Sequence, residues 1–594
     1  VSVARVYRTG SPFNGPELPE VDFEQSADTM YFAHLNHAPT KLVRADHTDW
    51  TFSSVDFEPT LAAPTGLTAT ESHPNEDADA YFPQPASYIV TAVDDLSGEE
   101  SRPSNPDSCT NDLTLKRNSN TIAWTGSAGA TRYRVYKADN TAEYGYIGTT
   151  TLTYFVDDNI GPDYSDGPPV GSDPFASTDE DNPTANYPST VTFFEQRLLW
   201  GRSSAHPNAI WASRSGRFEN MDISRPLKAS DAFSFALVAG RVNAVNQLVS
   251  INNLLALTSD SIFKIEGGQA GYVSATDFVT RRQNGRGSSR LSPLVVDSVC
   301  FYQTSVGNGV RTLGYEFQSD SINSNDVTIF SPDLFRGFDI VSWAYAQEPR
   351  SLIWAARSDG KLLCFTWEQE QQVWGWTLCE TDGLVESVCV ISENGEDRLY
   401  LTVRRGEKLL IERMAAARWS TVERSCFLDS AITYEFDEPE TLLTNLQHLE
   451  GRTITAIADG GVVTDLVVTD GQTTLPFPAT IVTAGIPFTS TIETLPLAYQ
   501  DRGGWTLAKA QTQAKAVLRL VDSRGVAVGP TEALLEALRS RVNELPGQPA
   551  SLLNGMYDVT LRPNLNDGAR LVVQSTDPLP MTVTAIYLDP SVSQ

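Results

Sequence analysis

The stretch from 351 to 376, SLIWAARSDGKLLCFTWEQEQQVWGW, alternates short apolar runs with polar turns. LIWAAR and KLLCFTW read as strands joined by a Ser-Asp-Gly turn, and the charged EQEQQ leads into a third strand opening on Trp-Gly-Trp. Strands of about five to seven residues punctuated in this way predict an antiparallel meander. One meander cannot bury both faces, so the pattern calls for copies of itself as neighbours. Residues 29–57, 197–222, 254–265, 299–317 and 398–414 repeat the strand–turn–strand pattern. With Leu199, Leu255, Cys300, Ile353 and Tyr400 as markers, the steps are 56, 45, 53 and 47 residues. That is the spacing of four-stranded propeller blades, and six candidate blades are counted.

From Tyr31 to Leu199 the step is 168 residues, more than one blade needs. The excess has its own alternating strands: APTGLTAT (63–70), SYIVTAV (87–93), NTIAWTG (120–126), TRYRVYKA (131–138) and YGYIGTTTLTYFVDD (144–158). These predict a fibronectin type III or immunoglobulin-like sandwich with Trp124 and Tyr133 in its core. The Tyr-x-Val-x-Ala-Val segment of such domains ordinarily comes late, but here it precedes the Trp strand, so a permuted strand order is expected. A Pro/Asp/Ser/Gly-rich linker follows. After about residue 430, ADGG (458–461) and TDGQ (469–472) mark hairpins. Further on, Leu534, Leu535, Leu538, Val542 and Leu545 fall on one face of a helix opened by Pro530-Thr531 and closed by Pro546-Gly547. The expected organisation is all-β. It places N-terminal strands and the first blade at 1–60, the sandwich insert at 61–162 and a linker at 163–187. The remaining blades take 188–430, and a β-rich, platform-like domain with one helix takes 431–594.

Composition narrows the function. The 594 residues carry 44 basic and 74 acidic side chains, a net charge of −30, the wrong sign for a surface that neutralises phosphates. No run of about 18 apolar residues is present to span a membrane, and no secretory leader is read at the start. The six cysteines (109, 300, 364, 379, 389, 426) lack metal-ligand spacing and are read as reduced, buried thiols.

Candidate chemistry is sparse. His34, His37 and His47 form the one histidine cluster, but it lacks a defined third ligand in sequence and reads as a surface turn. No nucleophile elbow, zinc-protease helix or phosphate loop occurs. Ser358, Asp359 and Gly360 are consecutive, which makes a hairpin turn and not the spaced Asp-box of sialidases. The acidic runs at 177–182 and 437–440 read as solvated loops. Trp374 and Trp376, like Tyr133 and Tyr136, alternate along strands and read as packing, with sugar stacking the lesser alternative. Arg281, Arg282, Arg286 and Arg290 form the one basic segment, read as a contact with carboxylates between subunits in preference to nucleic acid. No catalytic, cofactor-binding or metal-binding residue is assigned, and no cofactor is expected.

In this order, YPSTVTFFEQRLLWGRS (187–203), IWASRSGRFENMD (210–222), DAFSFAL (231–237), RTLGYEFQSD (311–320), YAQEPRSLIWAARSDGKLL (345–363) and VWGWTLCETDGLVESV (373–388) carry a resemblance. The chain is similar to the tail nozzle (tail tubular B type) proteins of short-tailed bacteriophages and related prophages, from about residue 20 to the last domain. Members of that family carry a longer region before the first blade. The resemblance implies a non-enzymatic virion protein, assembled in the host cytoplasm. It implies a homo-oligomer, a hexameric ring below the portal and adaptor, which meets tail fibre or spike proteins and lets genomic DNA through its lumen without specific binding. The alternative is a carbohydrate-binding adhesin or receptor-binding tail protein, and a propeller glycosidase ranks behind it.

Overall fold

The computed structural model describes residues 7–74, 80–139, 142–176, 186–238, 243–318, 321–501, 504–505, 509–539, 551–562 and 568–592. They are strands and turns, with helical residues confined to short 3-10 turns. The chain divides into two compact bodies, Arg5–Val341 and Ser342–Gln594.

The first body holds four four-stranded meanders of the kind the periodicity predicts, at residues 22–54, 190–236, 245–284 and 294–326. Each is antiparallel and pairs its strands in chain order, as a propeller blade does. The second strands are the apolar ones. Arg197–Gly201, Leu254–Thr258 and Val299–Gln303 are buried at every position, because a blade is covered on both faces by its neighbours and has no solvent side to alternate toward. The cores between blades follow. Tyr31 and Ala33 of the first blade pack with Trp200 and Trp211 of the second. Leu199 and Ile210 pack with Leu254, Phe263 and Ile265 of the third, and Leu255 and Leu257 with Cys300, Tyr302 and Leu313 of the fourth.

Between the first and second blades lies the sandwich. One sheet runs Tyr154–Asp157, Ser119–Thr125, Thr65–Ser72; the other runs Gly145–Thr150, Arg132–Asp139, Gln84–Asp94, with Glu99–Glu100 and Asp107–Asn111 also paired to the last. An immunoglobulin-type sandwich keeps strands A, B and E in one sheet and C, F and G in the other. That layout is reproduced when Thr65–Ser72 serves as A, Ser119–Thr125 as B, Arg132–Asp139 as C, Tyr154–Asp157 as E, Gln84–Asp94 as F and Asp107–Asn111 as G. The chain therefore visits the F–G pair before B, the permutation expected from the early Tyr-x-Val-x-Ala-Val segment. Trp124 and Tyr133 meet edge to face at 5.3 Å in its core.

The insert is locked to the blades. The buried Asp222 carboxylate, from the loop after the second blade's third strand, accepts from Arg102 Nε at 3.2 Å and Nη2 at 3.1 Å. The same guanidinium donates to Phe57 O and Glu58. Beside it the buried Glu99 accepts from Thr60 N–H and from Asn220 Nδ2.

The second body holds a four-stranded meander, whose first strand Ile340–Ala346 contains the division, and a three-stranded one at 384–413; the two share Ala356, Leu362, Val385, Leu399 and Val403 as their core. Gly360, in the Ser-Asp-Gly turn, has φ +84°, and a Cβ there would lie 2.7 Å from Leu384 Cβ. Val385 N–H donates to its carbonyl, so the turn needs glycine both for its backbone and for the next sheet's approach.

Beyond residue 428, a four-stranded sheet (429–486) encloses Leu443, Ile454, Val482 and Ala484, and two further sheets share a core of Leu518, Leu520, Val526, Val528, Val559 and Val573. Here two expectations are corrected. Residues 530–539 form no α-helix: a 3-10 turn at Glu532–Leu534 leads into Glu536–Ala537, which pairs with Val528 and Ala527. Leu538 N–H donates to Val526 O, and its side chain joins the shared core. The turn at Gly529-Pro530 sends the chain back along the strand it left, so edge pairing outweighs the helical spacing of the leucines; Val542, Leu545, Pro546 and Gly547 lie outside the described residues. The acidic run 437–440 is likewise not a loop but part of the long strand Asp429–Leu443, at a break in register between Glu435 and Glu440. The run at 177–182 and most of the linker's end (177–185) lie outside the described residues.

Candidate functional site

Three features of the first body concentrate polar chemistry, and the first is built on a hairpin. Thr29–His34 and His37–Asp46 are joined by Leu35 and Asn36, which makes His34 and His37 a directly opposed pair. Their rings lie 5.1 Å apart. Ahead of the first blade, the 3-10 turn Gly15–Glu20 is opened by Asn14: Glu17 N–H donates to its main-chain oxygen, and Asn14 N–H donates to Glu17 Oε2 at 2.9 Å, the returning half of a capping box. That fixes Glu17 so that Oε2 also meets His37 Nε2 at 3.0 Å. Phe13 covers the group edge-on, 5.2 Å from His37 and 6.2 Å from His34. One ligand atom from each of Glu17, His34 and His37 falls within 4.8 Å of the others. The missing third partner of the histidine pair is thus supplied by the fold, and the plain surface-turn reading is corrected for His34, which is buried. Burial, then the neighbouring His37, holds the His34 pKa below its usual value. The Asn14 N–H and His37 lower that of Glu17. His47 sits apart, on the next hairpin, beside Arg44.

The second feature is a buried carboxylate where the first strands of successive blades converge. Asp22 accepts from Thr190 Oγ1 at 2.7 Å, Val191 N–H at 3.1 Å and Ser292 Oγ at 3.0 Å. Thr190 reaches Gln247 Oε1 at 3.4 Å, and Gln247 Nε2 donates to Arg290 O at 2.8 Å. Side chains of three blades and the lead-in to the fourth form one network. Desolvation raises the Asp22 pKa against these hydrogen bonds. Asp22 sits in EVDFEQ, which resembles any exposed acidic strand, so no local signal marks it. Glu17 had a faint one, the Asn-x-x-Glu spacing of a capping box.

The third is the basic segment. Arg290 pairs with Glu20 at 3.0 Å, Arg281 with Glu266 at 3.7 Å and Arg282 with Asp260 at 3.9 Å, so carboxylates of the same body neutralise much of it. The aromatic residues divide. Tyr133 and Tyr136 are buried in the sandwich. In the second body Trp376 packs on Phe365 at 4.5 Å and Trp374 on Trp367 at 5.6 Å, with Trp374 left half-exposed. Asp359 is held by Arg357 in a two-point contact of 2.7 Å each. All six cysteines are free thiols. Burial pushes Cys300 and Cys364 up to about 12, whereas Cys389 is exposed, against the expectation of burial.

No family model and no curated protein matches the chain. Among solved structures it is similar to a crystal structure of a protein from Lactobacillus plantarum, determined in a structural-genomics programme. The two share 12% identity over 56% of this chain and 96% of that one, with a TM-score of 0.24. A likeness at that level carries no argument about function.

Proposed function

We propose that this chain is a structural subunit of a viral tail nozzle, assembling as a hexameric ring through which a genome leaves the capsid. The observation that carries the reading is the order and rigidity of its modules. A blade, a permuted sandwich, further blades and a strand-built terminal region follow one another, and an ion pair from Arg102 to the buried Asp222 pins the sandwich to the blades. Paired, mutually covered sheets leave few edges to peel under load. The net charge of −30 per copy, repeated around a ring, suits a conduit that polyanionic DNA crosses without adhering. The portal and adaptor would meet one end of the ring, and fibre or spike proteins its periphery.

Electron microscopy and mass measurement of the purified full chain test this. Closed rings of six copies are the expected result. A persistent monomer that binds on a glycan array would replace the proposal with a carbohydrate-binding tail protein.

A further inference from the structure

The geometry points to a divalent-metal site at Glu17, His34 and His37, one that takes a zinc-class ion through two imidazoles and a carboxylate and so fastens the segment before the first blade to its hairpin. Two histidines and one carboxylate, with a remaining position for water, are a donor set that such ions use. The three groups come from two elements that sequence does not connect: the 3-10 turn carrying Glu17 and the hairpin carrying the histidines. Neither element is loose. The histidines are the last residue pair before a two-residue turn, so their backbones are held by the ladder, and Glu17 is held by Asn14 through its backbone N–H and its carboxylate.

The three donors lie within 4.8 Å of one another, and one of their separations already suits an ion. Ligand bonds of about 2.0–2.1 Å in a tetrahedral arrangement set the donors roughly 3.3 Å apart. Glu17 Oε2 and His37 Nε2 stand at 3.0 Å, so they need to part by only a few tenths of an ångström. His34 gives up one contact. Its Nδ1 accepts from Asn36 N–H at 3.2 Å, and ligation through either ring nitrogen breaks that bond, either by occupying Nδ1 or by requiring a proton there. Phe13 packs edge-on against both imidazoles and so helps to hold their ring planes. Arg290 is engaged by Glu20, which limits its repulsion of a bound cation.

The test uses the full chain stripped with chelator and titrated with Zn²⁺ by calorimetry, with Co²⁺ as a spectroscopic probe of coordination. One ion per chain is expected, with the visible absorption of a low-coordinate Co²⁺ complex and slower hydrogen exchange in residues 13–20 when metal is present. His37→Ala and Glu17→Gln, both at partly exposed positions, should each weaken binding by about tenfold or more, while His47→Ala leaves it unchanged. Absence of stoichiometric binding would overturn the assignment, as would binding that survives both the His37 and Glu17 substitutions. Neither result bears on ring formation, so the site and the nozzle proposal stand or fall separately.

Discussion

At the scale of single residues, Asp22 is the group whose behaviour departs most from its appearance in the sequence. Its carboxylate is buried, pairs with no cation among the described residues, and accepts from the Thr190 and Ser292 hydroxyls and the Val191 N–H. Its folded pKa lies above the unfolded value of about 3.9 because desolvation outweighs those bonds. The folded chain therefore holds the proton more tightly. The stability linked to it is full below the unfolded pKa and is lost as pH rises through the folded one. Asp22→Asn keeps an acceptor for Thr190 and Val191 and an amide for Ser292, so it should be at least as stable as the parent at neutral pH. Its advantage in thermal melts should grow from pH 4 toward 7. Asp22→Ala should lower stability by about 1–3 kcal/mol, since two of the donors it abandons, the Thr190 hydroxyl and the Val191 N–H, are buried. An Asn variant that melts well below the parent at neutral pH would show that the charge itself is needed at the hub.

At the scale of elements, the sandwich and the blades are joined by an ion pair that lies outside both of their apolar cores. Arg102 forms a fork on Asp222, whose side chain is wholly buried. Arg102→Ala leaves that carboxylate with the Ser172 N–H but without its cation, at a cost of about 2–3 kcal/mol. The expected outcome is a local one: hydrogen exchange accelerates where residues 57–60, 99–102 and 220–224 meet, while the sandwich core around Trp124 and Tyr133 stays protected. Loss of protection throughout the sandwich would mean that the insert cannot fold without its dock. The elements themselves were largely legible. Tyr31, Leu199, Leu255, Cys300, Ile353 and Tyr400, the positions that mark the repeat, all fall on the second strand of their meander. In the second, third and fourth meanders that strand is buried at every position, so its apolar run is the least ambiguous signal a blade emits. The stretch at 530–539 was misleading for the converse reason. Leucines at helical spacing also suit a chain that folds back onto a sheet, and the turn at Gly529-Pro530 made that choice.

At the scale of the whole molecule, the acidic excess predicts indifference to nucleic acid. Fluorescence anisotropy with duplex DNA should show no retention even near about 50 mM salt, where a protein making several phosphate contacts binds far more tightly than at about 200 mM. Salt-dependent binding would contradict a passive conduit. What the amino-acid order determined by itself was local: strand periodicity, turn chemistry, the place and permutation of the insert, and the sign of the charge. Each is written within a few neighbouring residues or summed over all of them. Tertiary structure alone decided that Glu17 would reach His34 and His37, that Asp22 would be shut in by Thr190 and Ser292, and that Arg102 would meet Asp222. Those pairings join residues tens to hundreds of positions apart, and only the packing of sheet on sheet brings them within bonding distance.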